Sequence, residues 1–316
     1  MDATPTTFEE QTGGHRVVTL VDDIKNNHLA WLDARQGRIG SSDIAIIAGL
    51  NPYKTRLHLW SEYTGKMQPA NLDDNDAVWL GTELEPTVAK MYERKTRLRT
   101  VPFNRMVSRT DLPWAHATPD YLIEEAGCLL ECKTTGHWKA QEWEEKIPDA
   151  AHLQVHWQMG ISCIHGAVVA ALIGGREFVK HEVAFDPDIF EQLVEMGHSF
   201  LKNVKEDIPP PATALDKDLL TQLNGKPVEH KAVQLTCFDL VEKWTVLDAS
   251  RRLHDTRAKE LKEEQEAVAA QIRQQMGDAM YGNCANWQVS AIERLRKPFH
   301  SKGSSWIEFK VKEVMP

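Results

Sequence analysis

Apolar and polar positions along the chain switch between a helical and a strand period, and the switches divide it. The first stretch, MDATPTTFEEQTGG, is polar, and residues 1–26 read as a leader. From near Asn27 a three-to-four spacing predicts a helix with Leu29 and Leu32 in its first turns. Residues 41–49, SSDIAIIAG, predict a short helix capped by Ser41 or Ser42, with Asp43 at its positive end and Gly49 as its stop. Another helix, 55–64, follows the Asn51-Pro52 break. Leu84, Val88, Met91 and Tyr92 predict one over 77–95, where Pro86 is awkward unless the regular helix begins close to Glu83.

The period then shortens. Residues 99–134 read as strands, and 117–123 with 128–134 form a hairpin around the turn Glu124–Gly127. A helix over 150–164 follows, with Leu153, Trp157, Ile161 and Ile164 as its stripe. Strands 166–173 and 176–184 flank Gly174-Gly175, and a helix covers 187–206 before Pro209-Pro210-Pro211. This is an α/β (α+β) pattern with a core of residues 27–208 and a linker of 209–235. Residues 236–316 form a C-terminal region suited to partner or oligomer contact. That region reads as a long charged helix over 236–280, seamed by Leu261, Val268, Ile272, Met276 and Met280. Two alternating runs, Trp287/Val289/Ala291 and Ile307/Phe309/Val311, suggest a closing hairpin.

Composition narrows the class. With 316 residues and 42% of them apolar, the chain can bury a core, which excludes global disorder. It has no apolar run of about 18 residues that could span a membrane, and its polar N-terminus is not a secretory signal. Cys128, Cys132, Cys163, Cys237 and Cys284 are odd in number and scattered, which fits free thiols in a reducing cytoplasm. They are not grouped for an iron–sulfur cluster. The net charge of −9 argues against a protein that coats nucleic acid, but the charge is uneven. Residues 181–240 hold most of the excess acid. Arg94, Lys95, Arg97, Arg99, Arg105 and Arg109 form a run with no Asp or Glu among them. Such a run could follow a phosphate backbone or form a solvated basic face.

The chemistry concentrates at Asp120 and at Glu131-Cys132-Lys133. With residues 124–127 as the turn, Ile123 faces Cys128 and Asp120 faces Glu131. Glu131 and Lys133 then share a face with Asp120, while Leu130 and Cys132 point into the core. Two facing carboxylates repel, and Mg²⁺ or Mn²⁺ between them would remove the conflict. The Cys132 backbone carbonyl could add a ligand, and Lys133 could hold or help deprotonate an attacking water. The same residues also fit an edge hairpin with a weak surface ion pair. Glu85 stands in GTELEP on the preceding helix. Gln154 and Gln158 stand one turn apart in LQVHWQMG on the following one.

This order of carboxylate helix, carboxylate hairpin and glutamine helix is that of the PD-(D/E)XK nucleases. Over about residues 27–205 the chain resembles the YqaJ viral recombinase family, the lambda-exonuclease-like group. The resemblance rests on Trp31 and Arg35, on R-x-G-x-I-G-S-S-D through Ser42 and Asp43, and on G-L-N-P-Y-K-T. It continues with G-T-E-L-E-P, A-T-P-D, E-C-K-T and Q-V-H-W-Q-M. It implies a mixed central sheet flanked by helices, here with a helical C-terminal extension. It implies Glu85, Asp120 and Glu131 as metal carboxylates for two Mg²⁺ ions and Lys133 as the catalytic lysine. Arg35 and Ser42 would grip a DNA phosphate, and Gln154, with Gln158 beside it, would sit at the site edge. Arg35 could equally pair with Asp33 or Asp43.

The implied activity is a Mg²⁺-dependent 5′–3′ exonuclease on linear double-stranded DNA ends. It would leave 3′ single strands for phage-type recombination in a bacterial cytoplasm, beside a single-strand annealing protein and as a possible ring trimer. Rival readings are a structure- or sequence-specific endonuclease and a catalytically idle DNA-binding or assembly module. Among weaker candidates, His152 and His156 suit the surface or the surroundings of the site. Trp138 and Trp143 are candidates for stacking on single-stranded bases, and Trp79 for the core.

Overall fold

The computed structural model describes residues 11–12, 15–70, 75–229, 231–279, 281–284 and 287–290. The chain divides into two compact units, residues 1–226 and 227–316.

The first unit begins with β1 (Gln11–Thr12) and β2 (His15–Asp22), then α1 (His28–Arg35), α2 (Ser41–Ile47), α3 (Arg56–Tyr63) and α4 (Asp76–Thr96). Strands β3 (Thr100–Pro102), β4 (Arg105–Arg109), β5 (Leu112–Ala117), β6 (Tyr121–Ile123) and β7 (Cys128–Thr135) follow. Next come α5 (Ala140–Glu145), α6 (Asp149–Ser162), β8 (Gly166–Ile173), β9 (Glu177–Ala184), α7 (Pro187–Lys205) and α8 (Lys217–Asn224). The expected mixed α/β class is the one observed.

Five strands form one sheet in the order β3-β6-β7-β8-β9, with β7 and β8 parallel and the other pairs antiparallel. A second sheet has the order β1-β2-β4-β5. Residues 15–22 are therefore not a loose leader. They pair along β4 from Val17↔Arg109 to Asp22↔Arg105, and Val21 is buried.

Alternation along β7 and β8 assigns two cores. Leu129, Ala167, Val169, Ala171 and Ile173 join the large cluster with Val155, Trp157, Met159 and Ile161 of α6. Leu130, Cys132, Val168, Ala170 and Leu172 point the other way, to Val88, Ala89 and Tyr92 of α4. β8 is covered on both faces, which explains its unbroken apolar run. α6 is buried well beyond the predicted stripe: Val155, His156, Gln158 and Met159 are inside, and Leu153 only partly so.

Capping at α2 differs from expectation. Its N-cap is Gly40, whose N–H donates to the Asp43 carboxylate at 2.9 Å; Ser41 is already helical and buried. α4 runs straight through Pro86 from a cap at Asn75, so it does not begin near Glu83.

Residues 209–226, expected as part of a linker, are packed into the first unit. Leu219 is 1% exposed and Asp216 fully buried. Asp216 accepts hydrogen bonds from the Thr55 hydroxyl at the N-cap of α3 and from the Thr213 N–H and hydroxyl.

The second unit holds α9 (Phe238–Met276), a 39-residue helix with no buried residue. Its predicted seam is open, with Leu261, Val268 and Ile272 all exposed. Strand β10 (Tyr281–Cys284) pairs antiparallel with β11 (Trp287–Ser290). The run at Trp287 thus has residues 281–284 as its partner, and the run at 307–311 lies outside the described residues.

Candidate active site

The hairpin β6–β7 holds the register derived from its turn: Ile123 pairs with Cys128, Leu122 with Leu129 and Tyr121 with Leu130. Asp120 sits one residue before β6, half-buried, and its Oδ2 accepts from the Cys132 N–H at 2.8 Å. Its backbone carbonyl accepts from the Phe103 N–H at 3.0 Å. Both ends of Asp120 are therefore fixed.

Glu131 projects from the face of β7 that meets α6 and is 2% exposed. Lys133 lies two residues on, and its Nζ donates to Glu131 Oε1 at 2.6 Å and to Gln154 Oε1 at 2.9 Å. Gln154 Nε2 donates to Glu131 Oε1 at 2.6 Å, and Gln158 Nε2 donates to Oε2 at 2.7 Å. One helical turn of α6 thus supplies two amides that clamp both oxygens of one carboxylate. Gln158 is itself 1% exposed, and among the described residues its own Oε1 has no partner. A residue so enclosed cannot touch a DNA phosphate. Its expected place at the DNA-binding edge is corrected to that of a buried donor to Glu131.

Glu85 comes from α4, one turn before the buried Val88 and Ala89. Pro86 brings no N–H to the carbonyl of Thr82, so the helix lacks one rung beside Glu85. Burial, and then the charge of Glu131, push the Glu85 carboxyl up. Burial, then Glu131 and Glu85, push the Asp120 carboxyl well above its ordinary range. Burial alone would pull the Lys133 ammonium down, but Glu131 and Asp120 outweigh it and the net shift is upward. The structure therefore brings three mutually repelling carboxylates and one cation together.

Hard oxygen donors under like-charge repulsion are the donor chemistry that suits a divalent cation, and in this respect the residues fit one. Among the described residues, however, no three side chains of His, Cys, Asp and Glu group as a ready-made metal cage. Glu131 instead has both oxygens committed to Lys133, Gln154 and Gln158.

Arg35 lies over the Trp31 ring at 4.5 Å, and its charge adds to burial in driving the His116 imidazole down to about 3. Ser42 is exposed in the first turn of α2.

The cation run does not form one track. Arg94 and Lys95 end α4, Arg99 pairs with Glu124, and Arg109 pairs with Asp111 in the other sheet. Trp143, a stacking candidate, is buried, and Trp79, a core candidate, is 59% exposed. Trp138 is 86% exposed. His156 is buried against Phe185.

Residues 30–165 match the YqaJ-like viral recombinase domain. The YqaJ-like region holds Arg35, Ser42, Glu85, Asp120, Glu131, Lys133, Gln154 and Gln158. The chain is also similar to the uncharacterized protein YqaJ of Bacillus subtilis (strain 168), 29% identical over 278 residues and covering 84% of each. That share is more than residues 1–226 alone can supply, so the likeness reaches into the second unit. Among solved structures, an alkaline exonuclease (LHK-Exo) from Laribacter hongkongensis is 19% identical, with a TM-score of 0.48 over 56% of this chain and 93% of that one. A phage related exonuclease from Haemophilus somnus 129PT is 12% identical, with a TM-score of 0.44 over 54% and 96%.

Proposed function

We propose that the chain is a Mg²⁺-dependent deoxyribonuclease of PD-(D/E)XK type. In this reading it digests linear double-stranded DNA from the 5′ end and leaves 3′ single strands for recombination in a bacterial host cytoplasm. The observation that carries this reading is the convergence of Asp120, Glu131 and Lys133 from one hairpin with Glu85 from α4. The charge of Glu131 raises the carboxyls of both Glu85 and Asp120, and that of Glu85 raises Asp120 further. Asp120, Glu131 and Glu85, with the Cys132 carbonyl, would hold Mg²⁺ or Mn²⁺, two ions by the resemblance. When bound, the ions supply positive charge to the attacking and leaving oxygens of phosphodiester hydrolysis.

The chain's own residues do the rest. Lys133, whose ammonium Glu131 and Asp120 favour and whose Nζ is held by Glu131 and Gln154, would hold or help deprotonate an attacking water. Gln154 and Gln158 keep Glu131 in one rotamer. Arg35 and Ser42 would take a neighbouring phosphate.

Linear duplex labelled at the 5′ or the 3′ end, beside a covalently closed circle, tests the reading with and without Mg²⁺. Loss of the 5′ label on linear DNA only, and only with Mg²⁺, is expected. Cutting of the circle would make the protein an endonuclease. Intact linear DNA, unchanged between wild type and Asp120→Ala, would leave an idle module. Light scattering tests the ring trimer, and a mixture with a single-strand annealing protein tests that partner.

A further inference from the structure

The site as described holds three carboxylates against Lys133, a poor balance for a polyanionic substrate. A second cation stands at its rim, on a segment that precedes residues 30–165. Lys25 lies in the loop between β2 and α1 and is exposed. Among the described residues it has no ion pair. Its charge joins that of Lys133 in drawing the Glu85 carboxyl downward, against burial and Glu131.

The loop is tightly braced. The Lys25 N–H donates to Asn104 Oδ1 at 3.1 Å, and Asn104 Nδ2 donates to Asp23 Oδ1 at 2.8 Å. Asp23 Oδ2 accepts from Asn26 Nδ2 at 2.7 Å, and the Ile24 N–H donates to the Asn104 carbonyl at 3.2 Å. Asp23 and Asn104 both adopt left-handed backbone, with φ of 50° and 48°. Such residues cost energy and persist where surrounding structure fixes them, often at ligand clamps. The brace also reaches the site by a second route. Phe103, next to Asn104, donates its N–H to the Asp120 carbonyl. One turn, Phe103–Asn104, thus sets both the Lys25 loop and a candidate metal carboxylate.

We propose that Lys25 is a substrate-binding residue of this site. The Asp23–Asn104 brace seats it so that its ammonium meets a backbone phosphate of the DNA strand entering beside Glu85 and Asp120. The assignment rests on the nuclease reading above. It adds a phosphate contact from the N-terminal strand to those expected from Arg35 and Ser42.

The test measures binding of end-labelled linear duplex by the full chain at several salt concentrations, in an Asp120→Asn background that does not cut. Each neutralised phosphate contributes about 0.9 to the slope of log K against log salt. Lys25→Gln should lower that slope by about 0.9, so its deficit relative to Lys25 shrinks about threefold between roughly 50 and 200 mM salt. The loss should be uniform across DNA sequences. In the Asp120 enzyme Lys25→Gln should raise KM more than it lowers kcat, and Lys25→Arg should restore both. Asn104→Ala, which releases the brace, should reproduce part of the KM effect. A slope unchanged by Lys25→Gln, with thermal unfolding at the wild-type midpoint and wild-type cleavage intact, overturns the role of Lys25 alone. Wild-type protein that neither binds nor cuts linear duplex overturns the nuclease reading and this one with it.

Discussion

Gln158→Leu separates stability from activity at one buried atom pair. Gln158 donates to Glu131 Oε2 at 2.7 Å, while its own Oε1 is buried with no partner among the described residues. The opposite amide orientation would face Oε1 against a carboxylate oxygen, so the network itself fixes which end points at Glu131. Leucine removes a hydrogen bond to a charged acceptor, worth about 1.5–3 kcal/mol, and also an unsatisfied carbonyl that costs about 1–3 kcal/mol. The two offset each other in part, but Glu131 Oε2 is left buried without that donor, so urea unfolding should show a net loss of about 1–3 kcal/mol. Glu131, however, loses one of its two amide clamps. Loss of an outer partner of a metal-binding group typically costs about 10–100-fold in activity or metal affinity. Single-turnover digestion of labelled linear duplex with Mg²⁺ should show that loss. Gln158→Glu, in contrast, buries a second carboxylate against the first and should destabilise by about 3–5 kcal/mol. A Gln158→Leu protein with wild-type cleavage, or one that loses more than about 3 kcal/mol, would refute the reasoning.

Asp120→Asn should abolish cleavage while keeping the Cys132 N–H bonded to a side-chain oxygen, and circular dichroism should match wild type. The raised pKa values of Asp120 and Glu85 give metal-free stability a sign. Their contribution is complete below the ordinary carboxylate range and is lost as pH rises through the folded values. The melting temperature without divalent cations should therefore fall from mildly acidic toward neutral pH. Asp120→Asn should flatten that fall, and Mg²⁺ should raise the neutral value more than the acidic one. Asp216→Ala strips the partners from Thr55 and Thr213 in a buried site and should cost about 2–3 kcal/mol in urea unfolding. Residues 1–226 expressed alone should unfold cooperatively, as a compact unit with its own cores.

Much of the site was legible because strand geometry is rigid. A four-residue turn and strict alternation were enough to place Glu131 beside Lys133, and Leu130 with Cys132 on the other face. Burial of polar residues was not legible. Nothing in Gln158 or His156 marks them as interior, since that depends on α7, β5 and the sheet closing around α6. The tryptophans exchanged places for a related reason. Trp79 sits among apolar residues at the start of α4, before the turns that meet the sheet, whereas Trp143 lies in a charged stretch that folds into the short α5. The strand in residues 15–22 carried an alternation of Val17, Thr19 and Val21, hidden behind a polar start. Lys25 belongs to no motif, and only the contact of its loop with Asn104 places it.

The parallel pairing of β7 with β8 also orders events in time. All of the acids of the site lie before residue 132, yet the strand that pairs with β7 along Leu129–Thr135 ends only at Ile173. Between them the chain must lay down α5 and α6, including the glutamines that hold Glu131. Closing so long a connection is a slow step compared with forming a hairpin. During synthesis, then, a ribosome-bound chain carries every carboxylate well before β8 and α6 can close against β7. The last structural step, not the last of these acids, decides when the cluster is first complete.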